Sequence, residues 1–140
     1  MRELGLLFPD AGTIASQSPA AVAGLGVIKA RAASIVALAQ ALASGELALE
    51  PGADPATAIE KLQALPGIGP WTANYIAMRA LRWPDAFPKE DVVIRKRLGR
   101  VSAVEAEKLS EAWRPWRSYA TMHLWLGDGL TPKSVRRSVS

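Results

Sequence analysis

The segment LPGIGPWTAN, residues 65–74, has the residue types that can bind an anion through the protein main chain. It places Gly67 and Gly69 between a helix-like run and a second run that opens on Pro70. Glycines let a turn adopt positive φ and let another molecule approach the backbone. The amides of such a turn and of the next helix's first turn would converge on one point, where the helix dipole stabilises a phosphate. The same residues also fit an αα-hairpin whose glycines only permit the reversal, and the turn by itself does not separate the two interpretations.

Helical signals surround this segment along the chain. Runs rich in alanine and leucine, with start and stop residues, fill the sequence, whereas the alternating Val, Thr and Tyr segments typical of strands are absent. The stretch RWPDAFPKED, residues 82–91, predicts an extended connector, because a proline and the residue before it both disfavour helix. We therefore predict an all-α chain, with helices at 18–24, 27–44, 54–63, 70–81, 91–99, 102–113 and 116–126.

The composition fits one folded domain and excludes several kinds of site. The chain has 140 residues, and its longest apolar runs fall short of the roughly 18 residues needed to span a bilayer. No secretory signal pattern opens it, so we expect a cytoplasmic protein without membrane association. Because the sequence contains no cysteine, disulfides, thiolate-held zinc and cysteine-ligated iron–sulfur clusters are excluded. The 17 Lys and Arg against 13 Asp and Glu give a net charge of +4, which mildly favours a polyanionic partner.

Asp91 is the acidic residue with the clearest positional signal. It stands at the start of a predicted helix, and from the residues alone a simple N-cap accounts for it, since aspartate is common at that position. A carboxylate at a helix N-terminus is also favoured in its charged form. That form can stabilise positive charge in a reacting molecule.

Three sequence blocks, LPGIGPWTANYIAMRAL, FPKEDVVIRKRLG and WRPWRSYATMHLW, resemble the helix-hairpin-helix superfamily of DNA glycosylases, and within it the alkylation-repair branch of 3-methyladenine DNA glycosylase II. The resemblance runs from about Phe8 to Leu130, with the blocks in the same order and at the same spacing. It implies the C-terminal portion of a helix-hairpin-helix glycosylase domain at residues 1–130, incomplete at its N-terminus, and a basic, disordered tail at 131–140. It also implies that the hairpin binding DNA phosphate consists of Pro66, Gly67, Ile68 and Gly69.

The resemblance assigns Asp91 as the catalytic residue of a monofunctional glycosylase, which hydrolyses the N-glycosidic bond of an alkylated purine such as 3-methyladenine in double-stranded DNA. Positive charge builds on the sugar as the base leaves, and a fixed anion stabilises that oxocarbenium-like state. Glu90 is adjacent, but the motif spacing selects Asp91. Relatives that also cut the DNA strand have a lysine where this chain has Trp71, so we expect hydrolysis alone.

The resemblance further places Trp71, Tyr75 and Trp125 around the damaged base. Trp71 and Tyr75 are four residues apart on one predicted helix and so share a face. A base methylated on a ring nitrogen is cationic, and a cation over an aromatic ring gains about 0.5–2 kcal/mol. Aromatic residues at helical spacing are more often part of a core. To that structural role we assign Trp83, Trp113 and Trp116.

In the family, main-chain carbonyls of the hairpin hold a monovalent cation, Na⁺ or K⁺, and these map to Gln63, Leu65 and Ile68. We expect such a cation to bridge to DNA phosphate, with no cofactor required for catalysis. Carbonyl ligation leaves no side-chain signature. Two basic clusters could contact phosphates or could be solvated helix faces, namely Arg95, Lys96, Arg97 and Arg100 in one and Arg114 with Arg117 in the other.

In relatives, segments before the position of Phe8 supply an N-terminal domain, one wall of the pocket and an apolar wedge for base flipping. We expect an N-terminal domain or a fused regulator to be missing from this chain, which would act as a monomer on the bacterial nucleoid. The isolated chain is then either an active glycosylase or a noncatalytic helix-hairpin-helix DNA-binding module. A helical protein-interaction domain is a third interpretation, and it predicts no salt-sensitive DNA affinity.

Overall fold

The computed structural model describes residues 7–127. Within this part of the chain every regular element is helical, which confirms the predicted all-α class. The chain divides into two compact units, residues 1–82 and 83–140. The predicted basic tail at 131–140 lies outside the described residues. Among the described helices, none combines the length and apolar character that crossing a bilayer requires.

Side-chain caps begin three of the helices in the first unit. Asp10, Ser18 and Asp54 each accept a hydrogen bond from the amide three residues later, at 2.7, 3.1 and 2.8 Å. Such caps satisfy amides that have no acceptor inside the helix. The first helix is absent from the sequence prediction, whereas the others follow it closely. The helices are α1 (Ala11–Ala15), α2 (Pro19–Ala23), α3 (Lys29–Ala43), α4 (Pro55–Gln63) and α5 (Pro70–Arg79).

Small side chains form much of the interior of the first unit. α1 and α2 both contact α3, and α4 contacts α5. On α3 the buried positions include Ala32, Val36 and Ala39. Alanine at a helix contact lets two backbones approach closely, so that the interior is filled mostly by main chain and short side chains. The buried residues of the next two helices are Ala58, Leu62, Ala73, Ala77 and Met78.

The second unit contains α6 (Val92–Arg97), α7 (Ala103–Ser110), a 3-10 turn (Glu111–Trp113) and α8 (Arg117–Leu126). A capping box begins α7, because the Ser102 hydroxyl accepts from the Glu105 amide at 3.2 Å and the Glu105 carboxylate accepts from the Ser102 amide at 2.9 Å. The predicted continuous helix 102–113 is therefore an α-helix that tightens into a 3-10 turn. The core of the unit consists of Phe87, Ile94 and Ala106, with Leu98, Val101, Trp113, Leu124 and Trp125 packed against it.

A buried ion pair fixes the connector that precedes α6 to the start of α8. Arg117 Nε donates to Asp85 Oδ1 at 2.8 Å, and Arg117 Nη2 donates to Asp85 Oδ2 at 2.9 Å. The two side chains are only 7% and 10% exposed. Arg114 Nη1 donates to the same carboxylate at 2.7 Å. Burial by itself would raise the pKa of Asp85, but the hydrogen bonds and charge of Arg117, together with the charge of Arg114, lower this pKa below its ordinary value of 3.8.

The main chain of the connector is hydrogen-bonded to Ser118 as well. The Ser118 amide donates to the Pro84 carbonyl at 2.8 Å. The Ser118 hydroxyl donates to the Trp83 carbonyl at 2.7 Å and accepts from the Ala86 amide at 2.9 Å. An extended segment has no helical partners for its own polar groups, so these must be satisfied from elsewhere when they are buried. The start of α8 therefore determines where the connector lies as it enters α6.

We expect Asp85→Asn to lower the free energy of unfolding by about 3–5 kcal/mol, because the Arg117 guanidinium would stay buried without its anion. Urea denaturation followed by circular dichroism measures this loss. Glu107→Gln is the matched control, since it removes a more exposed ion pair with Lys89 at 2.7 Å and should cost about 1 kcal/mol or less. Equal losses in the two variants would contradict the special importance of the buried pair.

The lowered pKa of Asp85 also predicts a pH dependence of stability. A carboxyl group whose pKa is lower in the folded state adds stability that is present above its unfolded pKa, near 3.8, and is lost as the pH falls through the folded value. Urea midpoints measured from about pH 6 to pH 2 should fall at the acid end, and the fall should be smaller in Asp85→Asn. A profile of the same shape in the variant would assign the acid sensitivity to other carboxyl groups.

Candidate functional site

The predicted hairpin lies in the first unit, between α4, which ends at Gln63, and α5, which begins at Pro70. Ile68 is buried, and its amide donates to the Leu65 carbonyl at 3.3 Å. This amide is used inside the turn and does not serve a ligand. Gly69 is the N-cap of α5. The amides of the first helical turn have no acceptor within the helix, so an anion at this end would meet donors and the positive end of the dipole.

The two hairpin glycines are required for different reasons. Gly67 has φ +74°, and a Cβ atom there would overlap the Ser34 hydroxyl of α3, so that the folded chain itself needs a glycine. Gly69 has φ −90°, which any residue adopts, and a Cβ atom there would meet nothing within 4 Å. No intramolecular contact among the described residues explains the glycine at 69. Its N-cap position favours glycine, and the missing side chain leaves this stretch of backbone accessible to another molecule.

The carbonyls predicted to hold a monovalent cation, those of Gln63, Leu65 and Ile68, belong to the same turn. The Leu65 carbonyl accepts from the Ile68 amide, and a carbonyl oxygen keeps a second lone pair that can face a cation. In residues 7–127 there is no group of three or more His, Cys, Asp or Glu side chains that could hold a metal ion. A cation at the hairpin would depend on main-chain oxygens, the donor type that suits Na⁺ or K⁺.

Asp91 is the N-cap of α6 in the second unit, as predicted. Its Oδ1 accepts from the Ile94 amide at 2.8 Å, and its own amide donates to the Pro88 carbonyl at 2.9 Å. The residue is 8% exposed. Capping and a catalytic role are compatible, because the cap fixes the carboxylate in one orientation and shields it from bulk water. In such a setting its charge acts more strongly on a neighbouring cation than it would in water.

Glu90 differs from its neighbour in how its carboxylate is bonded. Its Oε2 atom is buried and has no hydrogen-bond partner among the described residues. A buried carboxylate oxygen without a donor is unfavourable, so such an atom merits a functional test. Glu90 is therefore the natural comparison for any experiment on Asp91.

Trp71 and Tyr75 lie on one face of α5, as their spacing predicts. Their rings are stacked, with centroids 5.1 Å apart and planes inclined by 9°. Trp71 is 39% exposed, and the Arg79 guanidinium lies 5.6 Å from the centre of the Tyr75 ring. Arg79 is not among the residues predicted for the site, although its position four residues after Tyr75 indicates the contact. The three side chains form one continuous row along α5.

Trp125 packs against the core cluster of the second unit and is partly buried. Its packing there matches the core alternative, and its role at a base stays a prediction. Trp113 contacts Phe87 edge to face at 6.2 Å and belongs to the core, as predicted. The assignment of Trp116 to the core is wrong, because this side chain is 58% exposed and contacts Tyr119 at the surface.

Several known proteins are similar to this chain, although no protein-family model matches it. It is 36% identical over 127 residues to DNA-3-methyladenine glycosylase 2 of Escherichia coli, covering 91% of this chain and 45% of that protein. It is 48% identical over 122 residues to a probable bifunctional transcriptional activator/DNA repair enzyme of Mycobacterium tuberculosis, covering 84% of this chain and 24% of that protein. With DNA-3-methyladenine glycosylase of Bacillus subtilis the identity is 36%, covering 85% and 42%.

A solved structure shares the fold. It is that of the Schizosaccharomyces pombe 3-methyladenine DNA glycosylase in complex with abasic DNA, with a TM-score of 0.70, 27% identity, and coverage of 84% of this chain and 62% of that chain. The present chain thus spans less than half the length of the three bacterial relatives. These similarities in sequence and fold lead to one assignment. Over most of its length the chain is a homologue of the 3-methyladenine DNA glycosylases, and it shares the fold of the helix-hairpin-helix superfamily to which they belong.

Proposed function

We propose that the chain supplies the catalytic and DNA-binding residues for hydrolytic removal of alkylated purines, such as 3-methyladenine, from double-stranded DNA. The observation that carries the proposal is the state of Asp91, a carboxylate held by the Ile94 amide at 2.8 Å and only 8% exposed. Breaking the N-glycosidic bond leaves positive charge on the sugar, and a preoriented anion stabilises that charge without having to reorganise.

The aromatic row on α5 suits a cationic base. Trp71 and Tyr75 stack almost in parallel, and the exposure of Trp71 leaves part of the indole open to a third flat ring. A methylated purine carries positive charge, which the ring faces attract. Such a base leaves as a neutral molecule and needs no proton, so one carboxylate is sufficient and no general acid is required. Trp71 also lacks an amine that could form a Schiff base, and the DNA strand would remain uncut.

The hairpin is the proposed anchor for the DNA backbone. Gly69 presents bare main chain at the N-terminus of α5, where amide donors and the helix dipole favour a phosphate. We also propose that carbonyls of Gln63, Leu65 and Ile68 hold Na⁺ or K⁺, which would bridge to the same phosphate. The names of the relatives support a DNA substrate, and the Schizosaccharomyces pombe enzyme is bound to abasic DNA. We propose that the protein works as a monomer in the bacterial cytoplasm, on nucleoid DNA.

Asp91→Asn should reduce release of 3-methyladenine from methylated DNA by at least about 100-fold, because the neutral amide cannot stabilise the sugar cation. Glu90→Gln is the matched control, since it neutralises the adjacent carboxylate, and it should retain most of the release. Chromatography of the free base under single-turnover conditions measures both rates. A large loss in Glu90→Gln with activity retained in Asp91→Asn would transfer the catalytic role to Glu90.

The wild-type chain in the same assay tests the second candidate function. A noncatalytic DNA-binding module is favoured by the glycine turn before α5, which could bind phosphate without any catalytic residue. DNA binding without base release by the wild type would establish the module and overturn catalysis by this chain alone. Base release by the wild type, lost in Asp91→Asn, would establish the glycosylase.

The two hairpin glycines give a test of the anchor. Gly69→Ala should change the free energy of unfolding by less than about 1 kcal/mol yet weaken DNA binding, because the methyl group would block only an external molecule. Gly67→Ala should destabilise the fold by about 1–3 kcal/mol, through its positive φ and the displaced Ser34 hydroxyl. Urea denaturation and fluorescence anisotropy with duplex DNA measure the two effects. Undiminished DNA binding by Gly69→Ala would remove the hairpin from the proposed interface.

A further inference from the structure

A cleft of about 300 Å³ runs along α6 and the turn that follows it in the second unit. We propose that this cleft, lined by Val92, Arg95, Lys96, Arg100 and Val101, is a second binding site for a DNA backbone phosphate, separate from the hairpin. The identification of the ligand as DNA rests on the proposed function, whereas the cleft itself is defined by residues of the second unit.

Two positive charges of the cleft have no acidic partner among residues 7–127. In the part of the chain that the structure describes, neither Lys96 nor Arg100 lies within 4 Å of an acidic group, and both are exposed. The other basic cluster of the sequence is different, because Arg114 pairs with Glu111 at 2.8 Å and Arg117 pairs with Asp85. Those two arginines are already committed to carboxylates. Arg114 and Arg117 therefore stabilise the fold, whereas Lys96 and Arg100 have no ion pair with another described residue.

Reciprocal hydrogen bonds hold the cleft in shape. The Arg95 side chain donates through Nε to the Val101 carbonyl at 2.9 Å, and the Val101 amide donates to the Arg95 carbonyl at 3.2 Å. Arg100 lies inside the turn that these bonds close. The main chain that bears Arg100 therefore has a fixed position, while its side chain is exposed.

The backbone of this turn is unusual at Arg100. Its φ is +62°, directly after Gly99 at +100°. A left-handed conformation is unfavourable for a residue with a Cβ atom, and such positions concentrate at binding sites. Glycine or asparagine is common in this conformation, but here the residue is an arginine that lines the cleft.

The chemistry of the lining fits a sugar-phosphate chain. A guanidinium group can donate two parallel hydrogen bonds to phosphate oxygens, and the Lys96 ammonium adds a second charge. Val92 is 74% exposed at the edge of the cleft and offers an apolar surface for the sugar. Contacts of this kind are independent of base sequence, as an enzyme that searches long DNA needs.

The double variant Lys96→Gln/Arg100→Gln tests the site. In undamaged duplex DNA, the slope of log K against log salt concentration should become less steep by about 1–2, since roughly 0.9 of slope belongs to each neutralised phosphate. Lys29→Gln/Lys108→Gln removes the same charge from exposed positions on α3 and α7 and should leave the slope nearly unchanged. Both variants should keep the wild-type thermal midpoint, because none of the four side chains is buried.

The outcomes separate this site from the proposed function. Phosphate binding in the cleft would be refuted if the cleft variant had the same slope as the wild type, or if the cleft and control variants changed the slope equally. Either result would leave the hairpin anchor in place. Binding by the wild type that does not depend on salt, or no binding at all, would overturn both. A smaller slope in the cleft variant alone, with base release lost only in Asp91→Asn, would support both.

Discussion

The second unit depends on the buried ion pair between Asp85 and Arg117. Asp85 precedes the candidate catalytic residue in the sequence. The Arg117 guanidinium donates two hydrogen bonds to the Asp85 carboxylate, and Ser118 fixes the main chain on either side of Asp85. Asp91 follows six residues later and begins α6. An apolar pair of similar volume could stabilise this interior as well, since buried ion pairs often offer little net free energy. It would lack the directed bonds that fix the orientation of the connector.

The two glycines of the hairpin, Gly67 and Gly69, differ in their conformation and in their surroundings. Gly67 is needed by the fold, because α3 approaches it through Ser34. Gly69 has an ordinary backbone conformation and open space where a side chain would stand. Glycine is a favourable N-cap residue, and at position 69 it also leaves the main chain accessible to another molecule.

Much of the fold was predictable because its signals are local. Caps such as Ser18, Asp54 and Asp91 act within four residues, and each begins a helix where the sequence predicts one. The buried ion pair joins Asp85 to Arg117, which are 32 residues apart in the sequence, and no local sequence pattern predicts it. Trp116 was misassigned since burial depends on what packs above a helix. In the candidate site, the Trp71–Tyr75 stack was predictable from helical spacing. The sequence did not predict that Arg114 forms an ion pair with Glu111 whereas Arg100 forms none with a described residue, because ion pairs depend on the three-dimensional positions of the side chains.

The placement of both the hairpin terminus and the aromatic row on α5 has a geometric consequence. From Gly69 to Tyr75 the helix rises about 9 Å, at roughly 1.5 Å per residue, so α5 fixes the distance between the proposed backbone anchor and the proposed base-stacking rings. This distance is set by the regular geometry of the helix. A single-residue insertion in its first turn would rotate the rings by about 100° relative to the proposed anchor, whereas conservative exchanges of the same residues would leave the distance unchanged.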